Sequence, residues 1–395
     1  MKVAILGNMN NNHFSTMRYL RDLGVDTYLF LYVNEQKHFM PEMDTWEIKN
    51  WEKYIIQTEL INGNYRNFLR FYKNIRYVRK IFSDYDFIIA NGMGPAYFFI
   101  SNIKLDIFKP YCFQGEFLTK EVKFKKKRHL LQFNFLKYFQ WQGLKYNTNL
   151  VITYDISDKN LYYFNKIGSK VKKLSVPMVY NREKIDISKI NLSKQMNEIL
   201  KQMSKTEHVL FHHVRHLWIN QPFGDKKNNI LFEGFAKYIK LSNKKSIRIY
   251  TLEYGKDVEA TKELIKKLEI ENYVTWLPML MRKEIMLLIE KSSIGGSAFN
   301  KFLWGGAGWE FMSKGIPFLH YFDTTPEEFE KIHNTPFPDF INVSNPDQIA
   351  KKLIDFEKNP EKYKKMGENL KDWFDKYNGI SLAKEYKKLI DAKIK

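Results

Sequence analysis

Over the second half of the chain the spacing of apolar residues switches repeatedly between two periods. HVLFHHV (208–214) is a short β-favouring run, and NNILFEGFAKYIKLS (228–242) behind it repeats apolar positions three and four apart. SIRIYTLEY (246–254) precedes DVEATKELIKKLEI (257–270), and YVTWL (273–277) precedes MRKEIMLLIEKSS (281–293). IGGSAF (294–299) leads to a glycine-rich loop with a helical run after it, and IPFLHYF (316–322) and FINV (340–343) read as further strands. Asn345-Pro346 then opens a long helical stretch as cap and first-turn proline. Strands alternating with helices of this length predict a parallel sheet covered on both faces.

The first half alternates less cleanly. KVAILGN (2–8) is followed by NNHFSTMRYLRDLG (11–24), a helix with asparagine caps and a terminal glycine. VDTYLFLY (25–32), DFIIAN (86–91), PYCFQG (110–115), LVITYD (150–155) and KVKKLSVPMV (170–179) read as strands. The polar stretch 180–205 reads as a linker with some helix, so we expect one domain over 1–180 and a second from 206 onward. No repeat of the solenoid kind and no low-complexity segment interrupts the pattern.

At 395 residues the chain is long enough for two separate cores. The apolar run at the N-terminus is too short for a signal peptide, and no stretch of about 18 apolar residues offers a membrane span. The single cysteine, Cys112, excludes an intramolecular disulfide and a cysteine-rich metal site, and it fits a cytoplasmic setting. The formal charge is +20, from 64 Lys and Arg against 44 Asp and Glu. Such an excess suits an anionic partner, whether nucleic acid, membrane lipid or a phosphorylated ligand. A biased codon supply would produce the same surplus, so local clusters carry more weight than the total.

GGAGWEFMSKGIP (305–317) is the segment that most demands a chemical explanation. Three glycines in four residues let a backbone approach a partner closely, and a helix N-terminus after a strand can bind phosphate. A tight turn packed against its neighbours would use the same glycines. The acid behind them forms E-x4-G-x-P with Glu310, Gly315 and Pro317, and Gly305 lies five residues upstream. This pattern resembles the donor domain of GT-B glycosyltransferases of the retaining, family-4 type.

The resemblance implies two Rossmann-like domains facing each other across a cleft. The first, 1–180, lies on the acceptor side, with a linker over 181–205 and a nucleotide-sugar donor domain over 206–375. The final helix, 376–395, packs back on the first domain. By resemblance Glu310 accepts hydrogen bonds from the donor ribose, and the amides of Gly305, Gly306 and Ala307 face the diphosphate and sugar. The family's opening strand, Arg, loop and Lys fall on LFHHVRHLW and GDKKNNILF, giving Arg215 and Lys226, with Lys227 a close alternative. An arginine fork and a movable lysine would neutralise a diphosphate leaving group as its charge develops. The base-enclosing loop falls around Leu277 to Met279. One departure is plain: the family's first acid, eight residues before the second, is Phe302 here.

In the first half the family's H-G-x-D loop becomes Gln114, Gly115 and Glu116. A glutamine cannot take a proton, which leaves Glu116 as the catalytic candidate, with a surface carboxylate as the other reading. His13, after Asn10-Asn11-Asn12, either touches a substrate or caps its helix. Asp84-Tyr85-Asp86 has the D-x-D pattern of a metal site but precedes its strand, on the edge away from any ligand. His212 and His213 are consecutive on a strand and so face opposite sides. We expect no metal and no cofactor beyond the nucleotide-sugar co-substrate.

Two basic stretches remain. KEVKFKKKRH holds six Lys or Arg between Lys120 and Arg128 against Glu121, and 65–82 interleaves cations with aromatics. Either is a solvated face or a contact for anionic lipid, to which each cation contributes about 1 kcal/mol. The expectation is a metal-independent glycosyltransferase, retaining, acting on a glycan or lipid-linked acceptor in bacterial surface polysaccharide synthesis. It would be cytoplasmic and peripheral on the inner face of the membrane. A GT-B sugar-nucleotide epimerase and a nucleic-acid-binding protein are the alternatives, the second leaving Glu310, Arg215 and Lys226 without a task.

Overall fold

The computed structural model describes residues 1–63, 74–111, 116–119, 126–153, 158–175, 179–219, 225–300 and 303–393. The chain forms two compact units, Met1–Tyr180 with Ile380–Lys395, and Asn181–Gly379. Each is built on a parallel sheet.

In the first unit the strands are β1 (Lys2–Leu6), β2 (Asp26–Leu31), β3 (Ile55–Gln57), β4 (Phe87–Ala90), β5 (Leu105–Phe108), β6 (Thr148–Thr153) and β7 (Val171–Lys173). Their order is β3-β2-β1-β4-β5-β6-β7. Alternation along β1 fills both faces: Ala4 and Leu6 join Phe30, Ile88, Phe98 and Phe108 in one core. Val3 and Ile5 join Phe14, Met17 and Ile89 in the other, which the helix Gly379–Asp391 completes with Leu382, Tyr386 and Ile390. The Tyr386 hydroxyl donates to the Ser175 carbonyl at 2.8 Å.

One strand lies upstream of its expected place. β5 is Leu105–Phe108; the Lys109 N–H still donates to Ala90 O of β4 at 2.8 Å, and Pro110 and Tyr111 lie beyond the strand. Asp106 disguised it. This buried acid accepts the Ile88 N–H at 2.8 Å and pairs with Lys393 at 2.7 Å, so a carboxylate sits in a strand position without cost to the core. Cys112, Gln114 and Gly115 lie outside the described residues.

The second unit contains β8 (His208–His212), β9 (Ile247–Leu252), β10 (Val274–Leu277), β11 (Ile294–Gly296), β12 (Phe318–His320) and β13 (Ile341–Asn342), in the order β10-β9-β8-β11-β12-β13. The polar stretch after residue 180 belongs to this unit and forms the helix Lys194–Ser204, whose first turn Ser193 caps by accepting from Met196 N–H. Asn345 caps Pro346–Lys358 in the same way, through Gln348 N–H. Both sheets therefore reverse their winding once, between β1 and β4 and between β8 and β11. Such switch points open a crevice at the carboxyl ends of the strands.

The helix Gly305–Lys314 is wedged into the second unit by its own motif. Gly315 ends it with φ +70°, in the left-handed region, and Pro317 O accepts the Gly295 N–H of β11 at 2.8 Å. Gly367, on the helix Pro360–Tyr377, lies so close that a Cβ there would stand 2.0 Å from Gly315 O. The G-x-P part of the motif is thus a packing device. Gly367→Ala should destabilise the protein by about 1–3 kcal/mol through overpacking. A thermal melt that matched the parent would show that the two helices can separate at no cost.

Candidate functional site

The second unit's crevice is assembled from the segments that follow β8, β10 and β11. After His212 the chain stays tied down. His216 N–H donates to Tyr254 O at 2.6 Å, and Trp218 and Ile219 N–H both donate to Asp257 Oδ2, at 2.7 and 3.0 Å. Lys226 N–H donates to Leu217 O at 2.6 Å and Phe299 N–H to Lys226 O at 3.0 Å, so both ends of the segment return to the same place. Arg215 is exposed and Lys226 half-buried. Burial pushes the Lys226 ammonium below its ordinary range, and the Arg215 charge pushes it further, with Asp225 opposing. Among the described residues neither cation forms a salt bridge.

Glu310 is the centre of the arrangement. It lies on Gly305–Lys314 with its carboxylate buried, Oε2 accepting from His213 Nε2 at 2.7 Å and Oε1 from Arg282 Nε at 2.8 Å. Burial would raise its pKa, but the Arg282 charge and the His213 hydrogen bond outweigh that and hold it at about 2. An ionised carboxylate only accepts, so His213 Nε2 carries the proton of that bond. His213 follows β8, Arg282 opens the helix Arg282–Glu290 behind β10, and Glu310 follows β11. One carboxylate joins three crossovers.

Neither His213 nor Arg282 is singled out as its partner by the motif itself. A signal was present in Arg282, since a cation in the first turn opposes the helix dipole and needs a nearby acid. For His213 the partner lies 97 residues away, beyond any local pattern.

The glycines divide by role. Gly308 is a packing position, where a Cβ would meet Trp304 Cβ at 2.4 Å. Gly305 and Gly306 are exposed, and a Cβ on either would meet nothing within 4 Å. Gly305 has φ +61°, which favours glycine, whereas at Gly306 the space is simply open. The helix begins after Trp304 with no side-chain cap and no acid in its first turn. Among the described residues the first amides, Gly305, Gly306 and Ala307, have no backbone partner for their N–H groups, an arrangement that favours an anion. Met279, on the loop behind β10, is 71% exposed. Phe302 lies outside the described residues.

The histidines of HHVRH part as the strand geometry requires. His212 Nδ1 donates to Gly296 O at 2.9 Å and its Nε2 accepts from Asn228 Nδ2 at 2.8 Å, which links β8, β11 and the helix Asn228–Leu241. Burial takes its pKa to about 3, so it stays neutral. His216, likewise buried and held near pKa 4, faces Thr251 Oγ1 at 3.1 Å. His213 lies on the other side, over Phe211 and Phe311. Among the described residues no three metal-ligating side chains converge. Asp86 precedes β4 and accepts from the Lys2 amide at 2.7 Å, at the opposite end of the first sheet from its crevice.

The first unit's crevice holds the other two candidates. His13 is the second residue of the helix Asn12–Asp22 and is buried. Its Nδ1 donates to Gly7 O at 2.8 Å, and burial with the nearby Lys109 charge holds it neutral with a pKa of about 4. Its Nε2 and the Asn91 side-chain amide are buried with no hydrogen-bond partner among the described residues. Asn8, rather than Asn11, caps this helix, accepting from Phe14 N–H at 2.9 Å, while Asn10 and Asn11 take the left-handed conformation. Glu116 is buried, with Oε1 accepting from Gly92 N–H at 2.6 Å and Oε2 from Tyr111 N–H at 2.5 Å. That geometry braces the loops behind β4 and β5.

No protein-family model and no curated protein sequence matches the chain. Solved structures do. HepE from Anabaena, in complex with UDP and glucose, is 15% identical, with 99% of this chain and 100% of that one covered and a TM-score of 0.61. Sucrose-phosphate synthase from Thermosynechococcus elongatus is 10% identical over 99% of this chain and 98% of that one, with a TM-score of 0.57. The lipopolysaccharide outer core galactosyltransferase WaaB is 14% identical over 100% of both, with a TM-score of 0.54. The chain has the α/β fold of the GT-B glycosyltransferases.

The Glu310 pair makes stability depend on acid. A carboxylate depressed from 4.5 to about 2 stabilises the fold above the unfolded value and loses that contribution as pH falls towards 2. Glu310→Gln should cost about 3 kcal/mol at neutral pH and flatten the acid limb of the stability curve between those values. Denaturant melts at pH 7 and pH 3 decide it: an unchanged difference between the two pH values would show that the pair contributes nothing.

Proposed function

We propose that the protein is a glycosyltransferase that moves a sugar from a nucleotide-diphosphate donor to a glycan or lipid-linked acceptor. The observation that carries this reading is the pair Arg215 and Lys226. Arg215 follows β8 and Lys226 is tied to Leu217 and Phe299 on the same edge, neither forms a salt bridge among the described residues, and their mutual repulsion, only partly answered by Asp225, favours a bound anion. They stand at the switch point of a sheet whose open helix N-terminus supplies amides for the same anion. HepE, of the same fold, holds UDP and glucose.

In this reading Arg215 grips the diphosphate with its planar fork and Lys226 meets it as a point charge, as the C1–O bond to the leaving phosphate breaks. They carry the charge neutralisation, so the mechanism needs no resident metal. The Gly305, Gly306 and Ala307 amides face the diphosphate and sugar. Glu310, fixed by His213 and Arg282, offers its remaining lone pairs to the ribose hydroxyls, and Met279 lies against the base. In the first unit the uncharged His13 Nε2 accepts a hydrogen bond from a substrate hydroxyl, and Glu116 shapes the loops around it. The product linkage keeps the donor's configuration: the acceptor oxygen bonds to C1 from the face that the phosphate leaves, and its proton goes to that phosphate. The setting we propose is bacterial surface polysaccharide synthesis, in keeping with WaaB, of the same fold, a lipopolysaccharide outer core galactosyltransferase.

Thermal-shift measurements against UDP, GDP, dTDP and CMP sugars identify the donor, and they also test the reading, since no stabilisation by any of them would remove it. Arg215→Ala and Lys226→Ala should each weaken nucleotide binding about tenfold or more without unfolding the protein. Lys226 adds a pH signature. Its lowered pKa is restored upward by a bound diphosphate, so affinity holds below the free-state pKa and falls as pH rises past it. Lys226→Arg should postpone that fall, and identical alkaline profiles would take Lys226 out of the clamp. For the stereochemistry, NMR of the isolated product from an α-linked donor should show an α linkage, and a β product would exclude retention.

A further inference from the structure

The helix Lys127–Gln142 of the first unit turns large apolar side chains outward. Leu136 and Gln140 are its buried positions, and Leu131, Phe135 and Tyr138 follow at intervals of four and three residues on the other side. They are 60%, 53% and 55% exposed, and Leu130 beside them is 44% exposed. Single exposed apolar residues are ordinary, but a contiguous row on one helix marks a contact surface.

Charge narrows the partner. Lys126, Lys127 and Arg128 are exposed at the start of this helix, and from Val122 to Tyr154 the sequence has seven Lys or Arg and no Asp or Glu. Trp141, at one flank, has Lys137 Nζ 4.8 Å and Lys166 Nζ 5.8 Å from its ring centre. Lys166 also reaches Tyr162, itself 59% exposed. A second copy would set one such face against another and bring cations together with no acid to answer them. A nucleic-acid backbone would engage the cations but leave Leu131 and Phe135 in water. An anionic bilayer meets both groups, with phosphates for the cations and the acyl boundary for the apolar row.

We propose that this outward face seats the protein on anionic lipid, with Leu131, Phe135 and Tyr138 entering the headgroup boundary and Lys126, Lys127 and Arg128 meeting lipid phosphates. The helix lies in the plane of the surface, and no helix among the described residues is long and apolar enough to cross a membrane. The proposal deepens the glycosyl-transfer reading and rests on it only for the acceptor's place at the membrane.

The test is co-sedimentation of the full chain with vesicles of phosphatidylcholine, with and without phosphatidylglycerol, over a salt series. Binding should require phosphatidylglycerol, weaken with salt, and persist in part where surface charges are screened. Leu131→Ser with Phe135→Ser and Tyr138→Ser should lower the partition coefficient at least about tenfold while leaving its salt slope intact. Lys126→Gln with Lys127→Gln and Arg128→Gln should lower it about fivefold per cation at low salt and flatten the slope. Both variants alter exposed positions, and unchanged thermal melting shows that they fold. Failure to bind any vesicle at low salt overturns the proposal, as does an apolar variant that binds like the parent. A dimer that the apolar variant converts to monomer would make the face a self-association surface. A mixed-sequence duplex that displaces the vesicles, with the apolar variant unaffected, would make it a nucleic-acid surface. Vesicle binding without any nucleotide-sugar binding would sink the glycosyl-transfer reading and leave this one standing.

Discussion

A single ionised carboxylate organises the second unit's crevice. Glu310 is buried, and an isolated carboxylate in such a place would sooner take a proton than keep its charge. Arg282 and His213 reverse that preference, and they reach it from the segments behind β10 and β8 while Glu310 stands behind β11. The crossovers that frame the crevice are thus tied at one point, on the side of the sheet where its winding reverses. Removing Arg282 would leave the charge uncompensated and removing His213 would leave a buried oxygen without its donor, so the geometry is held by a penalty for disorder as much as by attraction.

The two crevices share a strand order and differ in chemistry. Behind β8 and β11 stand exposed or half-buried cations and open amides, a surface fit for phosphate. Behind β1 and β4 stand buried uncharged groups, with His13 held neutral beside the Lys109 cation and the Asn91 amide without a partner among the described residues. Glu116, though charged, turns both oxygens to backbone N–H groups. Uncharged donors and acceptors of this kind discriminate by hydrogen bonding rather than by long-range attraction.

What could be read from the sequence follows the range of the forces concerned. Helices and strands set by local periodicity were legible, down to the Asn345 cap, because the cap and the amide it holds lie three residues apart. β5 was misplaced because its Asp106 is paired with Ile88 and Lys393, contacts that no window of the chain contains. The glycine motif was legible as a place and mixed as a cause. Gly315 and Gly308 serve packing, whereas Gly305 and Gly306 face open space, and only coordinates separate the two. The partners of Glu310 were out of reach for the same reason as those of Asp106. Adjacent basic stretches read as charge alone. That an apolar row stands outward behind the cations depends on which side of the helix the core covers.

The bracing of Glu310 is compatible with a ligand role and improves it. Each carboxylate oxygen accepts one bond from protein and keeps further lone-pair capacity. A free surface glutamate would have to give up rotamer freedom and water to hold a hydroxyl, which consumes much of the gain. Here folding has already met both costs, since His213 and Arg282 fix the rotamer and burial has removed most of the water. A hydroxyl that reaches the remaining acceptor positions therefore meets an oriented negative charge with little left to reorganise. Full charge, held at about pKa 2, also keeps that acceptor ionised at neutral pH. The constraint that holds the crossovers together is the one that would make the site selective.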